Sequence, residues 1–381
     1  MKKTLIVIFL IILLGFFYLK EREFKIETIE SIGKSENYYF IFPSITELHK
    51  DDVFEFNVDK VDNLREKKKF DKKLRSKVIE LLKMPDYVVL EPRADIVKDE
   101  DKGKYIERKI RIYTSFNTLS HAYLLIPKEK NNKIVIAMHQ HGGNYEYGKE
   151  EVVGNLGDEN MFFGKELAER GYFVFAMDAP LFGENNLFFE NSTGVKRNSA
   201  EIEEQFATQS LLLYGYTPLG AILQQDMTAL NFLLSLEGFD KENIGCIGHS
   251  FGGARCMYLA AMDERIKAVV LSNSVANFRR DYDKSILHTW LTLLPGIAKY
   301  TEINGVLGLI APRPLMIVYS ENDPINPENE VKEQILSMEN LYEKLGRKEE
   351  FKSLYLKGKA HEFPLEYHEQ AYEFFDKNLK N

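Results

Sequence analysis

Two cysteines, Cys246 and Cys256, are all that 381 residues contain, so the fold cannot rest on a framework of disulfides. Both flank the serine at position 250, and each is expected to be a small buried core residue, not a paired thiol. Net positive charge is also lacking: Lys and Arg total 50 against 58 Asp and Glu, a formal charge of -8. No broad basic footprint remains for a nucleic acid, which is excluded as a partner. The one basic run, Lys67 to Lys69 with Lys72 and Lys73, is interleaved with Phe70, Leu74, Val78 and Leu81. That spacing predicts an amphipathic helix over Val61 to Leu82 with a solvated basic face. Internal repeats and long low-complexity tracts are absent. There is no H-E-x-x-H, and His139-x-His141 is the single H-x-H. A metal centre needs further ligands, so neither metal nor cofactor is expected.

Hydrophobic residues at 44% and aromatics at 12% are enough to bury a large core, so the body should be globular. One uncharged stretch, Thr4 to Leu19, follows Lys2 and Lys3 and precedes Lys20 to Lys25. As a helix it would reach about 24 Å, short of a hydrocarbon core of about 30 Å, so Phe16, Phe17 and Tyr18 would sit at an interface. No small-residue cleavage site follows it. Residues 1–25 are therefore expected to be an uncleaved signal anchor, with membrane contact through residues 4–19 and the rest of the chain outside the cytoplasm. Secretion after cleavage is the alternative.

Residues 26–104 are charge-rich and read as an N-terminal extension, helical around Val61 to Leu82. From Tyr105 the pattern changes. Ile106 to Tyr113 and Ser120 to Ile126 interleave polar and apolar residues as a hairpin would. Short apolar runs then alternate with helical patterns. The runs are Lys133 to Met138, Tyr172 to Met177, Ile244 to Ile247, Ile266 to Leu271 and Pro314 to Tyr319, and a final strand fits Phe351 to Leu356. The helices fall at Met161 to Arg170, Leu219 to Leu236, Gly252 to Ala261, Asn329 to Leu345 and Pro364 to Leu379. This is the pattern of an α/β domain over residues 105–381, with a mostly parallel sheet covered on both faces. Two stretches lack the alternation, 180–216 and 274–310. Both follow strand ends, where open parallel sheets bind ligands, so they are candidate lids or substrate walls.

The strongest local signal is Gly248-His-Ser-Phe-Gly252, entered from an apolar run and left into a helical pattern. It fits the nucleophile elbow G-x-S-x-G, in which small flanking residues let a strained strand-to-helix turn present a serine hydroxyl. Serine is a poor nucleophile at neutral pH and needs a base and a group to orient that base. Asp323 lies just past the strand ending at Tyr319, and His361 lies past the last strand. Asp323 could instead cap an Asx turn before Pro324, and Glu321 is a rival carboxylate. For the charge developing on a substrate oxygen, the backbone N–H of Phe251 is one expected donor. The other is expected from His139-Gln-His-Gly-Gly143, with His141 first and Gly142 next.

With these residues in view, the chain from about Tyr105 onward resembles α/β-hydrolases of the dienelactone hydrolase and acetyl xylan esterase type. The resemblance is carried by His139-Gln-His-Gly-Gly143, Asp178-Ala-Pro-Leu-Phe-Gly-Glu184, Gly248-His-Ser-Phe-Gly-Gly253, Leu309-Ile-Ala-Pro-Arg-Pro-Leu315, Asp323 and His361. It implies a cofactor-free serine hydrolase of the α/β-hydrolase fold, with Ser250 as nucleophile, Asp323 as acid and His361 as base. It also implies a small-molecule or carbohydrate ester as substrate, with short acyl groups such as acetyl. The chain departs from the family at Gln140, where a glycine is usual. Dienelactone members use cysteine where this chain has Ser250, which favours ordinary esters. A peptidase or thioesterase on the same scaffold would use the same residues, and a non-catalytic binding domain at the membrane is the rival of another class.

Overall fold

The computed structural model describes residues 53–85, 93–115, 118–185, 200–278 and 289–379. The expected anchor in residues 1–25 lies outside them, as does the early part of the extension. Among the described residues no helix is long and apolar enough to cross a membrane.

Nine strands form one sheet: β1 Ala94–Asp101, β2 Tyr105–Ser115, β3 Thr118–Pro127, β4 Ile134–Met138, β5 Phe173–Met177, β6 Ile244–His249, β7 Ile266–Ser272, β8 Leu315–Ser320 and β9 Phe351–Leu356. Their order is β1-β2-β3-β5-β4-β6-β7-β8-β9. The first three form an antiparallel meander joined to β5, and β5 to β9 run parallel. The helices are α1 Leu64–Leu82, α2 Lys149–Val152, α3 Phe163–Glu169, α4 Ala200–Leu213, α5 Pro218–Ser235, α6 Phe251–Met262, α7 Ile303–Gly308, α8 Glu328–Lys344 and α9 His368–Asn378.

Every residue of β4 is buried, as its unbroken Ile-Val-Ile-Ala-Met requires, since a strand covered on both faces has no solvated side. The pleat divides it. Ile134, Ile136 and Met138 face a core built with α1, α5, α6, α7 and α8. Val135 and Ala137 face a second core built with α3 and α9. These are the two helical layers of an α/β sandwich.

The basic helix is real, and its apolar stripe is structural. Asn63 caps α1 by accepting from the amides of Arg65 and Glu66, and Glu66 Oε2 in turn accepts from the amide of Asp62. Such a reciprocal cap fixes the helix start. Phe70, Leu74, Val78 and Leu82, spaced four apart, are buried in the first core. The stretch before residue 105 thus contributes to the core of the sheet. It also supplies β1, which the sequence pattern does not announce: in Ala-Asp-Ile-Val-Lys-Asp-Glu-Asp every residue but Ala94 is exposed. An edge strand without a buried face has no alternation to read.

The cysteines require a correction. Both are fully buried as expected, but they are joined in a disulfide between β6 and α6, with Cα atoms 5.7 Å apart. The sharp turn at residue 250 folds α6 back along β6 and brings the two side chains together.

Candidate active site

The elbow exists, and its strain is at Ser250, whose φ of 54° and ψ of -121° lie outside the conformations L-residues favour. The turn is held from both sides: the Ser250 amide donates to the Ser272 carbonyl at 2.8 Å, and the Ser250 carbonyl accepts the Ala254 amide at 3.0 Å. Glycine is obligatory on steric grounds at two positions. A Cβ on Gly248 would lie 2.3 Å from the carbonyl carbon of Gly252, and one on Gly252 would lie 2.1 Å from the Met138 oxygen. Helix α6 therefore starts hard against the end of β4. Here the sheet order passes from β5 through β4 to β6, so successive crossovers leave β4 on opposite sides and open a crevice at the carboxyl ends.

Three separated residues meet in that crevice. His361 Nε2 is 2.8 Å from Ser250 Oγ, and His361 Nδ1 is 2.8 Å from Asp323 Oδ2. The His361 side chain is 17% exposed and that of Asp323 is fully buried, so the proton path is open to a substrate and closed behind. An ionised Asp323 can only accept, which puts the ring proton on Nδ1 and leaves Nε2 to accept from the serine hydroxyl. Burial pushes the Asp323 carboxyl up. The hydrogen bond and charge of His361, with the amides of Asn326 and Ile325, outweigh that and hold it below its usual 3.8.

The geometry accommodates both readings of Asp323 at once. Its Oδ1 closes an Asx-type turn, accepting from the amides of Ile325 at 2.8 Å and Asn326 at 2.9 Å, while Oδ2 holds His361. The rival carboxylate, Glu321, instead accepts the Gly358 amide at 2.6 Å. Two residues that sequence reasoning missed complete the support. Asn326 donates to Asp323 Oδ2 and to the Asn273 carbonyl. Asn273 donates to Ser320 Oγ and to the Glu362 carbonyl. Only a D-x-x-N spacing after β8 hints at the first.

Beside the elbow runs the loop after β4. His139 is fully buried; its Nδ1 donates to the Gln140 carbonyl and its Nε2 accepts the Ala179 amide. Burial, with the nearby Arg255 charge, lowers its pKa well below the usual 6.5, so it is a neutral structural ring. His141 is engaged on both nitrogens too, Nδ1 by the Gly143 amide and Nε2 by Glu204. Neither ring keeps a free lone pair for a metal, and among the described residues no cluster of His, Cys, Asp and Glu could hold one. Because the Gln140 carbonyl turns toward His139, the trans peptide aims the His141 N–H the opposite way. Among the described residues the amides of His141, Gly142 and Phe251 donate to no protein acceptor.

The wall above is aromatic. Tyr145 stacks on Phe182 at 4.8 Å, Phe182 stacks on Phe251 at 5.6 Å, and Leu291 joins the same cluster. Of the two segments expected to form lids or walls, 180–216 supplies Leu181, Phe182 and Ala207 of α4 to this cluster and 274–310 supplies Leu291, whereas α7 packs in the first core. The segment from Asp178 to Glu184 acts behind this wall. Asp178 accepts from the amide and the Nζ of buried Lys149, each at 2.7 Å, and Lys149 also reaches Glu184 at 2.7 Å. Arg313 likewise fastens the chain, donating to the carbonyls of Ala260 and Ile266 at 2.6 Å. Chemically, the crevice can move a proton from a serine hydroxyl to an imidazole beside three amides that donate to no acceptor among the described residues.

Residues 37–324 match the sequence model described as the Abhydrolase family, a span that includes Ser250 and Asp323. YtaP of Bacillus subtilis (strain 168), provisionally named a hydrolase, is 27% identical over 241 residues, 61% of this chain and 75% of that protein. Among solved structures, one from Bacteroides fragilis NCTC 9343, provisionally named an acetyl xylan esterase, is similar with a TM-score of 0.66. It is 21% identical and the match covers 80% of this chain and 78% of that one. A glucuronoyl esterase from Solibacter usitatus is similar with a TM-score of 0.56 and 14% identity, covering 81% of this chain and 93% of that one. At such identities these two structures bear on the fold, which is that of the α/β-hydrolases.

Proposed function

Starting from the chain's membership of the Abhydrolase family, we propose that this hydrolase cleaves carboxylic esters with Ser250 as nucleophile. The observation that carries the reading is the pair of 2.8 Å contacts that put His361 between Ser250 and Asp323. As Ser250 Oγ attacks the ester carbonyl, His361 Nε2 takes its proton, and Asp323 stabilises the resulting imidazolium. The carbonyl oxygen becomes negative and accepts from the amides of Phe251 and His141, with Gly142 the neighbouring donor. Collapse breaks the bond to the alcohol, which leaves with the proton from His361. A water that then loses its proton to His361 attacks the acyl-serine; the bond from the acyl carbon to Ser250 Oγ breaks, Oγ takes that proton back from His361, and the acid is freed.

The substrate side of the proposal is an ester of a carbohydrate with a small acyl group. The carbohydrate is supported by the names of both neighbours, one provisionally an acetyl xylan esterase and the other a glucuronoyl esterase, and the small acyl group by the first name alone. The location proposed is outside the cytoplasm, on the anchor expected in residues 1–25. The Cys246–Cys256 disulfide fits that location, since such bridges persist where the milieu is oxidising. Membrane fractionation of cells expressing the full chain should recover it with the membranes, and recovery in the cytosol overturns the location.

Ser250→Ala tested on 4-nitrophenyl acetate should lose hydrolysis by about 10⁴-fold or more, and a fluorophosphonate probe should label the parent protein at Ser250. Full activity in the variant overturns the reading. Competition among ester, thioester and peptide substrates decides against the peptidase and thioesterase alternatives if the ester turns over fastest. An intact but inert protein that takes no label would be the binding domain instead.

A further inference from the structure

One buried carboxylate near the site has no part in the proton path. Glu204, in α4, is almost fully buried at 3% exposure. Its Oε2 accepts from His141 Nε2 at 2.9 Å and from the Tyr145 hydroxyl at 2.6 Å. Its Oε1 accepts from Thr289 Oγ1 at 2.5 Å and from the Trp290 amide at 2.6 Å. Four donors fill a carboxylate. Burial works against its charge, but the hydrogen bonds from His141, Thr289 and Tyr145 more than offset this and lower its pKa, so the group is anionic. Three chain segments converge on it: the loop after β4, the segment after β5 that holds α4, and the segment after β7.

Each amide proposed for the oxyanion connects to this carboxylate. The His141 backbone is tied to it through the His141 ring, whose Nδ1 is already committed to the Gly143 amide. Phe251 is reached through the stack of Tyr145 on Phe182 and of Phe182 on Phe251. From the other side, Leu291 packs in the same cluster one residue beyond Trp290. A group in this place fixes where the two N–H vectors point without touching substrate.

We propose that Glu204 is a positioning residue for the Ser250 site: it clasps the His141 segment and the 289–292 segment together so that the two oxyanion amides stay aimed at one point. The inference rests on the ester-hydrolase reading. Preorganised donors act in the transition state more than in the bound ground state, so loss of the clasp lowers kcat and leaves KM nearly unchanged.

Glu204→Gln is the direct test, because it keeps the shape and removes one acceptor. The Trp290 amide can only donate, so the new carbonyl stays on that side and the NH2 group faces His141. His141 must then accept at Nε2, carry its proton on Nδ1, and give up the Gly143 amide. With 4-nitrophenyl acetate, kcat is expected to fall about ten- to hundredfold and KM to change by less than about threefold. In a His141→Ala background, which retains the backbone amide but lacks the tether, the same change should cost less than about threefold. His141→Ala alone should reproduce the kcat loss, which keeps the test alive if Glu204→Gln does not fold. A Glu204→Gln or His141→Ala enzyme with the parent kcat overturns the inference, and so does equal loss in both backgrounds. If the parent labels with fluorophosphonate at Ser250 in those cases, the inference alone fails. A parent that neither labels nor hydrolyses overturns the ester reading and this inference with it.

Discussion

The side-chain amide of Asn273 donates to the Glu362 carbonyl at 2.7 Å, which ties the end of β7 to the loop carrying His361. Asn273 itself has a φ of 43°, a conformation asparagine tolerates and most residues do not. Asn273→Gly therefore removes this hydrogen bond, and the one to Ser320 Oγ, without adding strain. We expect about 1–3 kcal/mol lower stability by urea denaturation and about a tenfold lower kcat/KM from a less firmly held imidazole. Unchanged kinetics would mean that the His361 loop is positioned without this bond.

Gly252→Ala brings a methyl group to 2.1 Å from the Met138 carbonyl oxygen, a backbone atom that cannot swing aside. Strand β4 and helix α6 must separate, moving the Phe251 amide away from any oxyanion. The expected outcome is at least about a hundredfold loss of activity, read with fluorophosphonate labelling beside circular dichroism to separate a displaced site from an unfolded chain. A folded Gly252→Ala protein that labels at the parent rate would refute the close-approach argument.

Asp323→Asn should leave His361 with the wrong ring nitrogen protonated and lower kcat by about 10⁴-fold at neutral pH. The same residue sets a stability dependence on pH. Its folded pKa lies below the usual 3.8, so it contributes stability above that value and loses it as pH falls through the folded value. The stability gap between parent and Asp323→Asn, measured by urea denaturation, should be wide at pH 7 and narrow as pH drops below about 3.8. A gap independent of pH would show that the carboxylate is not favoured in the fold.

Leu74→Ala probes the helix that precedes the sheet. Leu74 is fully buried and packs beside Gly305 of α7, far in sequence from every residue of the proton path. A loss of about 2–5 kcal/mol is expected, with kcat and KM of the folded enzyme close to parent. A loss below about 0.5 kcal/mol, the range of ordinary surface changes, would mean that α1 is dispensable packing.

Legibility followed chemistry. The meeting of Ser250, Asp323 and His361 could be read because each lies beyond the carboxyl end of a strand, and because proton transfer needs those three side-chain types. The strands from β4 to β8 could be read because strands buried on both faces leave mostly apolar runs, whereas β9 exposes Lys352 and Ser353 between buried ends. What stayed hidden lacks such a pattern. β1 is exposed along nearly all its length. Cys246 and Cys256 meet only because of a three-dimensional reversal. Glu204 is one of three glutamates at positions 201, 203 and 204, and nothing in their order says which turns inward. Asn326 and Asn273 act through backbone carbonyls, and such bonds leave no trace in residue type alone.

The place of β9 in the sheet has a consequence for the imidazole. Among the described residues its sheet partner is β8 alone, and His361 follows it in the chain. Fraying of residues 351–356 from 315–320 would therefore carry the ring away from Ser250, so local opening at this one edge is enough to silence the site while the rest of the sheet stays paired.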